Sequence, residues 1–123
     1  WVTSTGRAVL ARCSDTQLHD VFASPVVVSQ LSGARQDISM LVGAVARTRD
    51  AGYATAVNES VSDTASVSCA VGDPATHEAV AFCLSFPQHL ATPEELQRIA
   101  TLLKEAALTI AGKTGDPLVS SSL

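Results

Sequence analysis

The segment TSTGRAVLA (residues 3–11) runs three hydroxylated residues, Thr3, Ser4 and Thr5, into Gly6, a basic Arg7 and an apolar stretch. The first amides of a helix have no acceptor within it, so such a start can receive a phosphate or carboxylate. The same residues also make an ordinary helix cap at Thr3 or Ser4. A second group comes from two alternating segments, SVSCAV (66–71) and AVAFCLSF (79–86). Alternation places Ser66, Ser68, Cys83 and Ser85 on one face, too polar for a good core and too small to fill space. Opposed by a helix start, that face makes a pocket: hydroxyls orient a ligand and free amides take its negative end. Equally, small side chains let a helix pack close, and periodicity alone leaves both readings open.

Other chemistries find less support. His19, His77 and His89 form neither HxxxH nor HExxH, so no metal site is expected. The serines lie in no GxSxG elbow, and a nucleophilic Cys83 needs a base that the sequence does not visibly supply. No cofactor and no enzymatic activity are expected. Glu94 and Glu95 read as first-turn carboxylates that complement a helix dipole, Arg47 and Arg49 as the basic end of their helix, and Arg7 as facing solvent.

The chain has 123 residues, 46% of them hydrophobic and 16% charged, which fits one domain with a real core. The formal net charge is −4, and no cluster of Lys and Arg offers a nucleic-acid surface. Three cysteines without CxxC spacing argue against a disulfide framework and a zinc site and suit a reducing cytosol, with Cys13 and Cys69 as core residues. No apolar run approaches membrane-spanning length and no signal peptide opens the chain, so it reads as cytoplasmic.

The elements that position these residues follow from pattern. A helix capped at Thr3 or Ser4 runs to about Ala11. Ser14 and Gln17 have capping-box spacing before a helix burying Leu18, Val21 and Phe22. SPVVVSQLSG (24–33) reads as either a strand or a packed loop. Ile38, Leu41, Val42 and Val45 predict a helix closed by Gly52, then a strand over Tyr53–Val57 and an acidic loop from Asn58 to Asp63. The two alternating segments are expected to pair as an antiparallel hairpin through GDPATHE, with Val80, Phe82, Leu84 and Phe86 on its buried face. Finally, Thr92 caps a helix with Pro93 at its first position and a buried stripe of Leu96, Ile99, Leu103, Ala107 and Ile110, ending at Gly112. The expected class is an α+β (α/β) domain: an antiparallel sheet with flanking helices.

The order of these segments resembles the C-terminal effector-binding domain of IclR-type bacterial transcriptional regulators. That family's pattern is a His-Ala-Thr/Ser-x-x-Gly-Lys-Ala helix start, an Arg-x-x-Gly-Tyr corner, an acidic loop, two strands ending in Ser-x-Ser-Gly-Pro, and a long C-terminal helix. Here they stand as VTSTGRA, RDAGY, NE, CLSFP and the helix after Thr92. The resemblance implies a GAF-like sensor over residues 1–112 without its first strands, with 113–123 a flexible tail. It also implies a non-enzymatic regulator that binds a small organic acid or related metabolite. DNA would be bound only through an N-terminal winged helix-turn-helix outside this chain, and the sensor would form a homodimer or homotetramer. Carried over position by position, the effector contacts are Ser4, Thr5 and Gly6 at the helix start, Ala56 after the Gly-Tyr corner, Thr64 and Ser66 on the first hairpin strand, and Cys83 and Ser85 on the second. Ser68 comes from alternation alone. The chain departs from the pattern at Trp1 (near the usual His), Arg7 for Lys, Ala56 for an aspartate, Asp63 for a common Gly and Phe86 for the Gly before Pro87, so the effector's identity does not transfer. The alternatives are a GAF-like binding domain of another signalling protein and a small cysteine-dependent enzyme.

Overall fold

A computed structural model describes residues 3–26, 38–58 and 62–120. In chain order they form α1 (Ser4–Leu10), α2 (Asp15–Ala23), α3 (Ile38–Ala51), β1 (Ala54–Val57), β2 (Thr64–Asp73), β3 (Glu78–Pro87), a short 3-10 turn (Gln88–Leu90), α4 (Pro93–Thr114) and α5 (Pro117–Ser120). The strands make one antiparallel sheet in the order β1-β2-β3, so the class is α+β as expected. Residues 27–33 of the ambiguous SPVVVSQLSG segment lie outside the described residues.

Helix starts follow their local chemistry. The Thr3 hydroxyl accepts from the Gly6 amide at 3.0 Å and opens α1. Ser14 and Gln17 complete a reciprocal capping box on α2, and Thr92 caps α4 with Pro93 in its first turn. Gly52 leaves α3 at φ +83°, a conformation that favours glycine, and the chain enters β1. Asp63 also has positive φ (+59°). Its backbone amide donates to Asn58 Oδ1 at 2.8 Å, and aspartate is among the non-glycine residues enriched in this left-handed region.

Alternation sorts the sheet into two faces, and the register sets Ser66 opposite Ser85, Ser68 opposite Cys83, and Cys69 opposite Phe82. On the apolar face Val67, Cys69 and Val71 are buried under Ile99, Ala100, Ala107 and Ala111 of α4. The small-residue face carries α1. A second, helical core joins Leu10, Leu18, Leu41 and Val45, with Val21 and Phe22 packed against it.

Five expectations need correction. Val80 and Leu84 lie on the apolar face but are 63% and 43% exposed, because β3 is the outer strand and α4 centres its packing on β2. The α4 stripe ends on Ala111 rather than on the exposed Ile110: Ala100, Ala107 and Ala111 let the helix sit close to the sheet. Val42, expected inward, is exposed on α3. Gly112 does not end α4, which runs to Thr114 and is closed by Gly115 at φ +78°. Beyond it the chain is docked to residue 119 rather than frayed: Asp116 Oδ2 accepts from the Gly72 amide at 2.8 Å and pairs with Arg12 at 2.5 Å, while Val119 packs against the Cys69 cluster. Among the described residues no helix is long and apolar enough to cross a membrane.

Candidate functional site

Helix α1 brings its first residues onto the small-residue face. Ser4 is buried, its Oγ 2.7 Å from both Ser66 Oγ and Ser68 Oγ. Thr5 Oγ1 lies 3.2 Å from Ser68 Oγ, and Ser4 Oγ lies 4.0 Å from Cys83 Sγ. Cys83 in turn stands 3.6 Å from Ser85 Oγ. The cross-strand pairs explain this arrangement. Two transverse rows, Ala56–Ser66–Ser85 and Ala54–Ser68–Cys83, run across all three strands. Ala54 and Ala56 are buried at the β1 end, Ser68 is buried in the middle, and Cys83 and Ser85 are exposed at the β3 end. The face is closed beneath α1 and open along β3.

Each residue singled out in the sequence can now be placed. Ser4, Thr5, Ser66, Cys83 and Ser85 converge, and Ser68, found only by alternation, is bonded to both helix hydroxyls. Ala56 supplies a small buried floor beside Ser66. Thr64 begins β2 on the same face, half-buried, with its hydroxyl donating to Ser62 O at 3.3 Å. Gly6 is half-buried in the first turn of α1, and its amide is engaged by the Thr3 cap. Arg7 corrects an expectation: it is buried rather than solvent-facing, and its Nη2 donates to Thr55 O at 2.6 Å, tying α1 to β1. No periodicity signals this contact, because a basic residue one turn into a capped helix usually faces water.

Both readings left open by the alternation have physical content here. Ser4, Ser66 and Ser68 satisfy one another, so close helix packing accounts for the buried part of the face. Cys83, Ser85 and Thr5 remain at its open margin. Partial burial alone would push the Cys83 thiol up, but the hydroxyls of Ser68, Ser85, Thr5 and Ser4 outweigh it and hold the thiol below its ordinary value. Cys69 faces the other way, where burial pushes its thiol up to about 11 against a smaller opposing pull from Lys104. The groups bonded to Cys83 are hydroxyls, not an imidazole or carboxylate. This margin can bind polar atoms of a small molecule; among the described residues no imidazole or carboxylate is bonded to Cys83 as a paired base would be.

Comparison with known proteins decides the family. Residues 1–112 match the family model described as the C-terminal domain of the bacterial transcriptional regulator IclR. The chain belongs to this family. It is an effector-binding regulatory domain of the IclR type. No curated protein matches the chain by sequence. Among solved structures, Thermotoga maritima IclR superposes with a TM-score of 0.76 at 21% identity, covering 94% of this chain and 47% of its own. The C-terminal domain of Escherichia coli KdgR gives 0.74 at 18% identity, covering 94% and 70%. The Agobacterium tumefaciens repressor BlcR gives 0.73 at 20% identity, covering 93% and 46%. At such identities the likeness is one of fold. The IclR-type chain described here spans about half the length of the first regulators it matches.

Proposed function

We propose that this chain senses a small organic acid or related metabolite over the open margin of its hydroxyl-thiol face, and that occupancy shifts the affinity of an IclR-type regulator for its operator. The observation that carries this reading is the convergence of Ser4, Thr5, Ser66, Ser68, Cys83 and Ser85, closed under α1 and exposed along β3. Cys83 and Ser85 hold polar atoms of the effector, while Ser66 and Thr64 line the deeper side. Ala56 leaves room where a carboxylate would otherwise project, and Thr5 and Gly6 bring backbone close to the acid. DNA is bound by a winged helix-turn-helix in another part of the regulator, which works in the cytoplasm as a homodimer or homotetramer. The domain performs no catalysis.

Thermal denaturation in the presence of a panel of small organic acids tests this reading. An acid that binds raises Tm by mass action. Its uncharged amide or ester should raise Tm much less, and Ser85→Trp, which fills the open margin, should abolish the shift while leaving the unliganded Tm close to wild type. Equal stabilisation by acid and ester would leave α1 as a capped helix with no part in holding the acid.

A further inference from the structure

A different region of the molecule, at the other end of α1, contains a cavity of about 750 Å3, within the range of small-molecule sites. It exists because β1 is short. β1 pairs with β2 only as far as Ser68, so among the described residues the β2 edge beyond that point has no neighbouring strand. At Gly72 that edge is closed by Asp116, which accepts from its amide, and by the Thr114 hydroxyl, which donates to its carbonyl at 2.9 Å. Between Ser68 and Gly72 the gap is bounded by the end of α1, the end of α3 and the middle of α4, with Ala8, Tyr53, Ala70, Ala107 and Leu108 as largely apolar walls.

Among the described residues three cations line this space, and they are not equivalent. Arg12 is paired with Asp116. Arg49 pairs with Asp15 at 2.8 Å and also donates to the carbonyls of Ala11 and Cys13. Among the described residues Lys104 has no carboxylate partner; its ammonium stands 6.0 Å from the centre of the Tyr53 ring. The ammonium of a half-buried lysine, beside an aromatic wall and an alanine-lined floor, favours a ligand with one negative charge and an apolar body.

We infer that this cavity is a second ligand site, separate from the hydroxyl-thiol face, for a small aromatic or branched monocarboxylate whose acid group pairs with Lys104 and whose body packs against Tyr53, Ala70 and Leu108. The two sites lie at opposite ends of α1, and each has its own cysteine. Cys13 lines the cavity, whereas Cys83 lies on the hydroxyl-thiol face. Cys69 is buried and reports any unfolding.

Thiol footprinting on the full chain reads the two sites separately. The protein is alkylated with iodoacetamide in the presence of phenylacetate or of phenylacetamide, its uncharged counterpart, and each cysteine is followed by peptide mapping. Phenylacetate is expected to slow Cys13 alkylation saturably, by about tenfold at ten times its Kd, with Cys83 unchanged and Cys69 unreactive. Phenylacetamide should protect Cys13 only at much higher concentration. Lys104→Met should weaken phenylacetate protection about tenfold, leaving phenylacetamide protection and the unliganded Cys13 rate unchanged. Absence of Cys13 protection by phenylacetate, equal protection by the amide, indifference to Lys104→Met, or protection confined to Cys83 would each overturn the proposal. Cys83 protection bears on the effector reading alone, so the two proposals fail independently.

Discussion

Val67 and Val80 share one face of the sheet, yet they stand in different solvents. Val67 is wholly buried between β2 and α4, whereas Val80 on the outer strand is 63% exposed. Aspartate at position 67 would place an unpaired carboxylate in the core, so Val67→Asp is expected to cost more than about 4 kcal/mol and to leave the chain unfolded in denaturant titration. Val80→Asp should cost about 1 kcal/mol or less, chiefly through strand propensity. Equal losses would show that the outer strand is covered in solution. The small face has a similar gradient. Ser85→Ala is expected to be close to neutral because Ser85 is exposed, whereas Ser4→Ala removes the hydroxyl that meets both Ser66 and Ser68 and should cost about 1–3 kcal/mol.

At the scale of elements, the C-terminal segment is held by polar contacts more than by its own helix propensity. Burial alone would raise the Asp116 carboxyl, but hydrogen bonds from Arg12, Gly72 and Leu118, with the nearby Arg12 charge, outweigh it and hold the carboxyl below its ordinary value. A carboxyl whose folded value is lowered adds stability above its unfolded value of about 4 and loses it as pH falls through the lowered one. Asp116→Asn should therefore cost about 3 kcal/mol near neutral pH and flatten the loss of stability below about pH 4, both read from urea titrations across pH. The pattern of the linear chain could not show this docking. KTGDP reads as a helix stop followed by a tail, and the partner of the buried Asp116 is Arg12, far away in sequence. The hairpin and its two faces were legible, because period-two alternation determines which side chains share a face; the register, which carries the ladder on to Asp73 opposite Glu78, was not. Exposure along β3 was not, since alternation says which face a residue points to but not whether another element covers it.

For the whole molecule, the family was legible because helix start, Gly-Tyr corner, hairpin and capped C-terminal helix follow one another in the family's order. Of the candidate site, the Ser66–Ser68–Cys83–Ser85 face was readable from alternation. Engagement of Ser4 by two serines and burial of Arg7 depend on where α1 lands on the sheet, which local pattern does not encode. Net charge of −4 and the lack of a basic cluster lead to the expectation that residues 1–123 alone give no salt-sensitive, sequence-specific gel shift. The claim that this domain holds a small acidic effector at its open margin is tested most directly by native mass spectrometry of the wild type and Ser85→Trp, as purified and after addition of an acid found by thermal shift. The account predicts a one-to-one complex with the wild-type chain that is lost in Ser85→Trp while both proteins remain folded. A complex of equal strength with both proteins would contradict it, as would a folded wild-type chain that retains or binds no acid at all.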